Sequence, residues 1–146
     1  MGAELVFDAR NGVGESPVWL VSEQALYWVD IPGRSLFRWT ASSGEVKRWN
    51  SPAMIGCIAP HAGGGWIGAM ENGVAQLLPG ADGALEVKPL AQVEHAMPAM
   101  RFNDGRCDRQ GRLRAGTMLM DMGAGRAAGV LYGFDPEARK LEPMVT

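Results

Sequence analysis

Two short clusters carry residue types that do chemistry. The first, Gly12-Val-Gly-Glu15-Ser-Pro-Val-Trp19, sets one carboxylate among glycines, just before a Ser-Pro step into an apolar run. Carboxylate oxygens are what hard divalent cations take as ligands. From spacing alone, a solvated loop acid is the competing reading. The second, Met100-Arg-Phe-Asn103-Asp-Gly105, gathers Arg, Asn and Asp in one short run. Together they donate and accept hydrogen bonds, as a polyhydroxylated ligand requires. Asn-Asp-Gly is equally a good turn sequence, so the residues alone leave both readings open.

Other chemistries have no foothold. There is no H-E-x-x-H, no G-x-S-x-G and no Walker A loop. His61 and His95 are the only histidines, and neither is paired with a nucleophile by sequence, so both are expected in structural roles. Gly63-Gly-Gly-Trp-Ile-Gly68 matches G-x-G-x-x-G in form. It opens a strand rather than a helix, which removes the dinucleotide reading and leaves a turn. Cys57 and Cys107 belong to no C-x-x-C or Cys/His cluster, which argues against a zinc finger or redox motif. Both are read as buried thiols.

The elements that must position Glu15 and Arg101 are short strands. The 146 residues include 20 glycines, about twice the usual ~7%. Each interior glycine costs a helix about 1 kcal/mol relative to alanine. Only Ala91–Ala99 and Pro136–Lys140 are expected to make a helical turn. Elsewhere strands alternate with turns: 25–31, 35–40 and 45–49, then 65–70, 74–78 and 85–88, then 112–117, 129–134 and 141–145. Equivalent strands start at 26, 65 and 112, spacings of 39 and 47. A further strand precedes each set, at 16–20, 55–60 and 101–107. Four strands per ~40 residues is the repeat of a propeller blade. A Gly/Ala-rich insertion at 121–128 lengthens the third set.

The expected fold is therefore all-β, a β-propeller, with residues 1–146 supplying three four-stranded blades. Propellers close with 4–8 blades, so the chain is expected to be part of a longer protein, about half of a six-bladed ring. A short protein that pairs two copies into a ring is the alternative. In such a ring Glu15 and Arg101 both lie at starts of innermost strands, at one mouth of the central channel.

Composition bounds the partners. Hydrophobic residues at 47% and charged residues at 21% are ordinary globular usage. A net charge of -2 gives no drive toward nucleic acid or anionic membrane. No apolar run approaches the ~20 residues of a membrane helix. The N-terminus has neither the basic start nor the apolar core of a secretory signal, so a cytoplasmic location is expected.

Glu15-Ser-Pro-Val-Trp19, Leu26-Tyr-Trp-Val-Asp-Ile31, Arg101-Phe-Asn-Asp-Gly105 with Asp108, and Ala115-Gly-Thr-Met118 together resemble the gluconolactonase/regucalcin (senescence marker protein) family. The resemblance implies a six-bladed propeller, of which residues 1–146 are the N-terminal half, with one divalent metal in its channel and hydrolysis of sugar lactones. The metal is calcium or zinc, with magnesium or manganese also accommodated. A non-catalytic calcium- or sugar-binding protein is the alternative the family also offers. Residue by residue, it implies that Glu15 is a metal ligand. Arg101 and Asn103 are the substrate-contacting pair, with Asn103 near the metal through water. Asp121 is an acidic substrate contact. The family's other ligands, an Asn and an Asp that also transfers the proton, fall beyond residue 146, so no catalytic residue is assigned here. Leu113-Arg114 departs from the bulky pair usual in the family, and an arginine there is expected to disturb local packing.

Overall fold

The computed structural model describes residues 2–145. Twelve strands form three four-stranded antiparallel sheets in strict chain order. The first holds β1 (Gly14–Leu20), β2 (Ala25–Asp30), β3 (Ser35–Thr40) and β4 (Val46–Asn50). The second holds β5 (Ile55–Pro60), β6 (Trp66–Met70), β7 (Gly73–Pro79) and β8 (Leu85–Gln92). The third holds β9 (Met100–Cys107), β10 (Leu113–Leu119), β11 (Leu131–Asp135) and β12 (Lys140–Val145). The first strand of each sheet packs against the first strand of the next, so β1, β5 and β9 lie side by side. These are three blades of a β-propeller, as the repeat spacing predicts.

Alternation along the strands builds the two seams between blades. Ala25, Tyr27 and Val29 of β2 turn one face toward the second blade and meet Ile55, Ile58, Trp66 and Leu77. Tyr27 and Trp66 rings lie 4.5 Å apart. The second seam gathers Cys57, Ala59, Ala69, Val74, Phe102, Leu113, Ala115 and Phe134. Phe102 is fully buried there, and its burial contributes about 2–3 kcal/mol.

Each inner strand carries one extra residue opposite its neighbour. The register slips between Glu15 and Val18 in β1, between Ile55 and Cys57 in β5, and opposite Ala115–Thr117 in β9. Such bulges bend a strand and re-aim its side chains. Here they place Ser16-Pro17, Gly56 and Asn103-Asp104 on the three adjacent inner strands.

Three expectations need correction. Ala91–Ala99 makes no helical turn: β8 runs on to Gln92, and the rest is an irregular link. Among the described residues the helical pieces are two 3-10 turns, Val21–Glu23 and Met122–Ala124. Only Cys57 is a buried thiol; Cys107, at the end of β9, is exposed. Arg114 does not disturb its blade. Its Nε and Nη2 donate to Asp108 Oδ2 at 3.2 and 2.9 Å. Asp108 is pushed down to about 2, first by the backbone N–H of Arg112 and then by the Arg112 and Arg114 guanidiniums.

Candidate functional site

Glu15 sits in β1, just after a segment pinned by Asp30. The Asp30 carboxylate accepts from the backbone N–H groups of Gly12 and Val13, at 3.2 and 3.1 Å. Asn11 Oδ1 accepts from the Trp28 indole at 2.8 Å. The next residue, Ser16, is buried with a left-handed φ of 54°. Its hydroxyl accepts from the N–H of Ile58 at 2.9 Å and so ties β1 to β5. Glu15 itself is exposed.

Arg101 and Asn103 lie two residues apart within β9, and so share one face of it. Asn-Asp-Gly here is not a turn: it is the bulged stretch of the strand. Arg101 Nη1 donates to the Phe102 carbonyl at 2.8 Å and to Asn103 Oδ1 at 3.0 Å. Since arginine only donates, that second bond fixes the amide orientation and leaves Asn103 Nδ2 free to donate to a ligand. Partial burial lowers the Arg101 pKa from its ordinary value. A guanidinium starts so high that it stays charged at neutral pH.

The Phe102–Asn103 peptide is approached closely by Gly56 of β5. A Cβ on Gly56 would lie 2.5 Å from the Asn103 carbonyl oxygen and 2.7 Å from that of Phe102. Only glycine lets the second blade come this near the strand that holds Arg101.

Arg101, Asn103 and Asp121 line one cleft of about 700 Å³, together with Val13, Thr117, Met118, Met122 and Arg126. The third blade thus brings three of the expected site residues together. Glu15 is not among the lining residues; Val13, two residues before it, is. Arg126 is a lining residue that the sequence reading missed. Its signal was an arginine inside the Gly/Ala-rich insertion, read only as extra length. His95 Nε2 lies 2.8 Å from the Glu71 carbonyl oxygen, tying the link after β8 to the β6–β7 turn, and His61 Nδ1 accepts from the Gly63 N–H within its own loop, so both histidines have structural partners.

A divalent cation finds no complete site in these residues. Among the described residues no three His, Cys, Asp or Glu side chains converge as a metal-holding group. One exposed carboxylate replaces little of a hydration shell that takes six to eight oxygens for calcium.

Residues 13–146 match the model of the SMP-30/Gluconolactonase/LRE-like region. Regucalcin from Danio rerio is 35% identical over 92% of this chain and 44% of its own length. The 6-deoxy-6-sulfogluconolactonase of Pseudomonas putida is 39% identical over 87% of the chain and 42% of its own length. The solved calcium-binding regucalcin of Agrobacterium tumefaciens superposes with a TM-score of 0.80 at 25% identity, covering 96% of this chain and 45% of that one. That solved neighbour is a six-bladed propeller, and the chain spans less than half the length of the curated relatives it matches. The chain belongs to the SMP-30/gluconolactonase/LRE-like family.

Proposed function

We propose that this chain supplies the substrate clamp of a sugar lactonase. The observation that carries the reading is the pairing of Arg101 with Asn103 on the bulged face of β9, in a cleft large enough for a monosaccharide lactone. Lactonase names among the relatives support the reaction class.

The clamp works through donors fixed before the ligand arrives. Nη1 of Arg101 is held by Phe102 and Asn103, which orients the guanidinium and leaves Nε and Nη2 to donate. These donors meet the lactone carbonyl oxygen, where negative charge grows as water attacks. Donors already in place cost no reorganisation at that moment. Asn103 Nδ2 and the Asp121 carboxylate receive the ring hydroxyls. Asp121 accepts; Asn103 donates.

Glu15 is proposed as one oxygen ligand of a divalent cation, calcium or zinc, with magnesium or manganese as further candidates. The calcium-binding description of the Agrobacterium tumefaciens relative supports a cation. Since the described residues make up no complete site, the 146-residue chain alone binds calcium weakly and hydrolyses lactones no faster than buffer.

The test uses a protein spanning the relatives' full length and a pH-indicator assay with a glucono-lactone. Arg101→Ala lowers kcat/KM by roughly a hundredfold, the usual cost of one oxyanion donor, and lowers calcium affinity far less. Glu15→Gln abolishes chelator-sensitive hydrolysis. Unchanged turnover in Arg101→Ala overturns the clamp.

A further inference from the structure

The cleft over β9 carries more positive charge than a neutral lactone uses. Two guanidiniums line it, Arg101 and Arg126, against one carboxylate, Asp121. Arg101 is engaged with its own strand. Arg10, Arg38, Arg112 and Arg114 each sit within 3.1 Å of a carboxylate oxygen; the other arginines of the described residues form no ion pair, and of these Arg101 and Arg126 line this cleft. Among the described residues Arg126 forms no ion pair, even with Asp121 on the same loop.

That loop is held where it leaves and rejoins the sheet. The Thr117 N–H donates to the Val130 carbonyl at 2.9 Å, and the Val130 N–H returns to Thr117 Oγ1 at 3.0 Å. The Met120 N–H donates to the Ala99 carbonyl at 3.0 Å. Between these ties the chain turns at Gly125, φ 61°, and presents Arg126 into the cleft wall. An exposed arginine with no partner, on a loop anchored at both ends, is a donor fork without an acceptor.

A guanidinium matches two oxygens of a carboxylate, phosphate or sulfonate at once. The hydroxyls of a neutral sugar accept hydrogen bonds from it but leave its charge unused. We infer that the cleft takes a lactone bearing an anionic substituent away from the ring ester, and that Arg126 is the specificity-determining residue that pairs with that group. The inference rests on the reading of the cleft as a lactone site.

The experiment titrates the 146-residue chain, followed by NMR shifts, with 1,5-anhydroglucitol and with its 6-phosphate. Neither has a lactone ester to hydrolyse. The phosphate binds about tenfold tighter at low salt, in keeping with a charge-assisted hydrogen bond. The preference shrinks as added salt screens the pair. Arg126→Ala brings the ratio of affinities to about one, and Arg126→Lys keeps part of it. A ratio near one in the parent chain, or one that survives Arg126→Ala, overturns the inference while leaving the lactone cleft standing. Inorganic phosphate that competes as well as the sugar phosphate overturns the assignment to a sugar-borne group. If neither ring binds, the lactone reading itself fails, and this one with it.

Discussion

Between the first and second blades the inner strands are bridged by a side chain, the Ser16 hydroxyl bonded to the Ile58 N–H. Between the second and third nothing is interposed: Gly56 lies against the bare Phe102–Asn103 peptide. Both seams hold rings and small residues, Tyr27, Trp49 and Trp66 with Ala25 and Ala75 in the first, and Phe102 and Phe134 with Cys57, Ala59, Ala69 and Ala115 in the second. What differs is the inner-strand contact: a hydroxyl spans the first, and a glycine lets backbone meet backbone in the second. The second arrangement is the less forgiving, because a peptide cannot change rotamer. It also lies directly beneath Arg101 and Asn103, so tight packing there sets the geometry of that pair.

The largest expected effect follows from that contrast. Gly56→Ala forces a methyl group into the Phe102 and Asn103 carbonyls and destabilises the chain by about 3 kcal/mol, at the upper end of overpacking costs. Because the displaced peptide carries the Arg101 bond, ligand shifts in the cleft change as well. Chemical denaturation and NMR titration of the same variant check both. Native stability with an unaltered cleft would mean that the seam yields. Ser16→Ala acts on the other seam and costs less, about 1–3 kcal/mol, the range for leaving a buried N–H without its acceptor. It leaves the cleft unchanged, since Ser16 touches β5 rather than β9. A cleft disturbed equally by both variants would erase the distinction.

A smaller contrast sits at the opposite rim. The first blade ends in Glu23 between Tyr27 and Arg38, at 2.7 and 3.1 Å. The third ends in Asp108 between Arg112 and Arg114. Asp108 titrates at about 2 in the folded chain, below its ordinary 3.8. A depressed folded pKa means that its contribution is present above 3.8 and is lost as pH falls from there through about 2. Thermal melts across that window fall less steeply in Asp108→Asn than in the parent. Identical slopes would remove Asp108 from the acid response.

The strands were legible because they follow short-range rules. Val74-Ala-Gln-Leu-Leu78 between Asn72-Gly73 and Asp82-Gly83 reads as a strand between turns, and it is one. The bulges were not legible. Asn103-Asp-Gly105 has the composition of a turn, and only pairing with Leu113–Leu119 holds it extended. The cleft was half legible: Arg101, Asn103 and Asp121 stood out through resemblance. Arg126 did not, since its place in the cleft comes from a loop folded over another strand. Cys107 was misplaced because a single cysteine carries no period to say which face it takes. Next to Asp108, it lies at the exposed end of its strand.

The two thiols turn the comparison of seams into a measurement. Cys57 lies in the second seam, fully buried, and burial above all pushes its pKa up to about 12. Since the thiolate is the reactive form, Cys57 is silent while the seam is closed. Cys107 is exposed, and burial of part of its surface, then Asp108, raises its pKa more mildly. A thiol reagent at pH 8 therefore labels Cys107 in the native chain and both cysteines only in denaturant. Labelling of Cys57 then reports opening of the second seam alone. Gly56→Ala speeds it even under conditions where the far-ultraviolet signal is native, whereas Ser16→Ala, acting through the first seam, leaves it near the parent rate. Equal labelling of the two cysteines in the parent would mean that the second seam opens freely, and that backbone-to-backbone packing is the looser of the two joints.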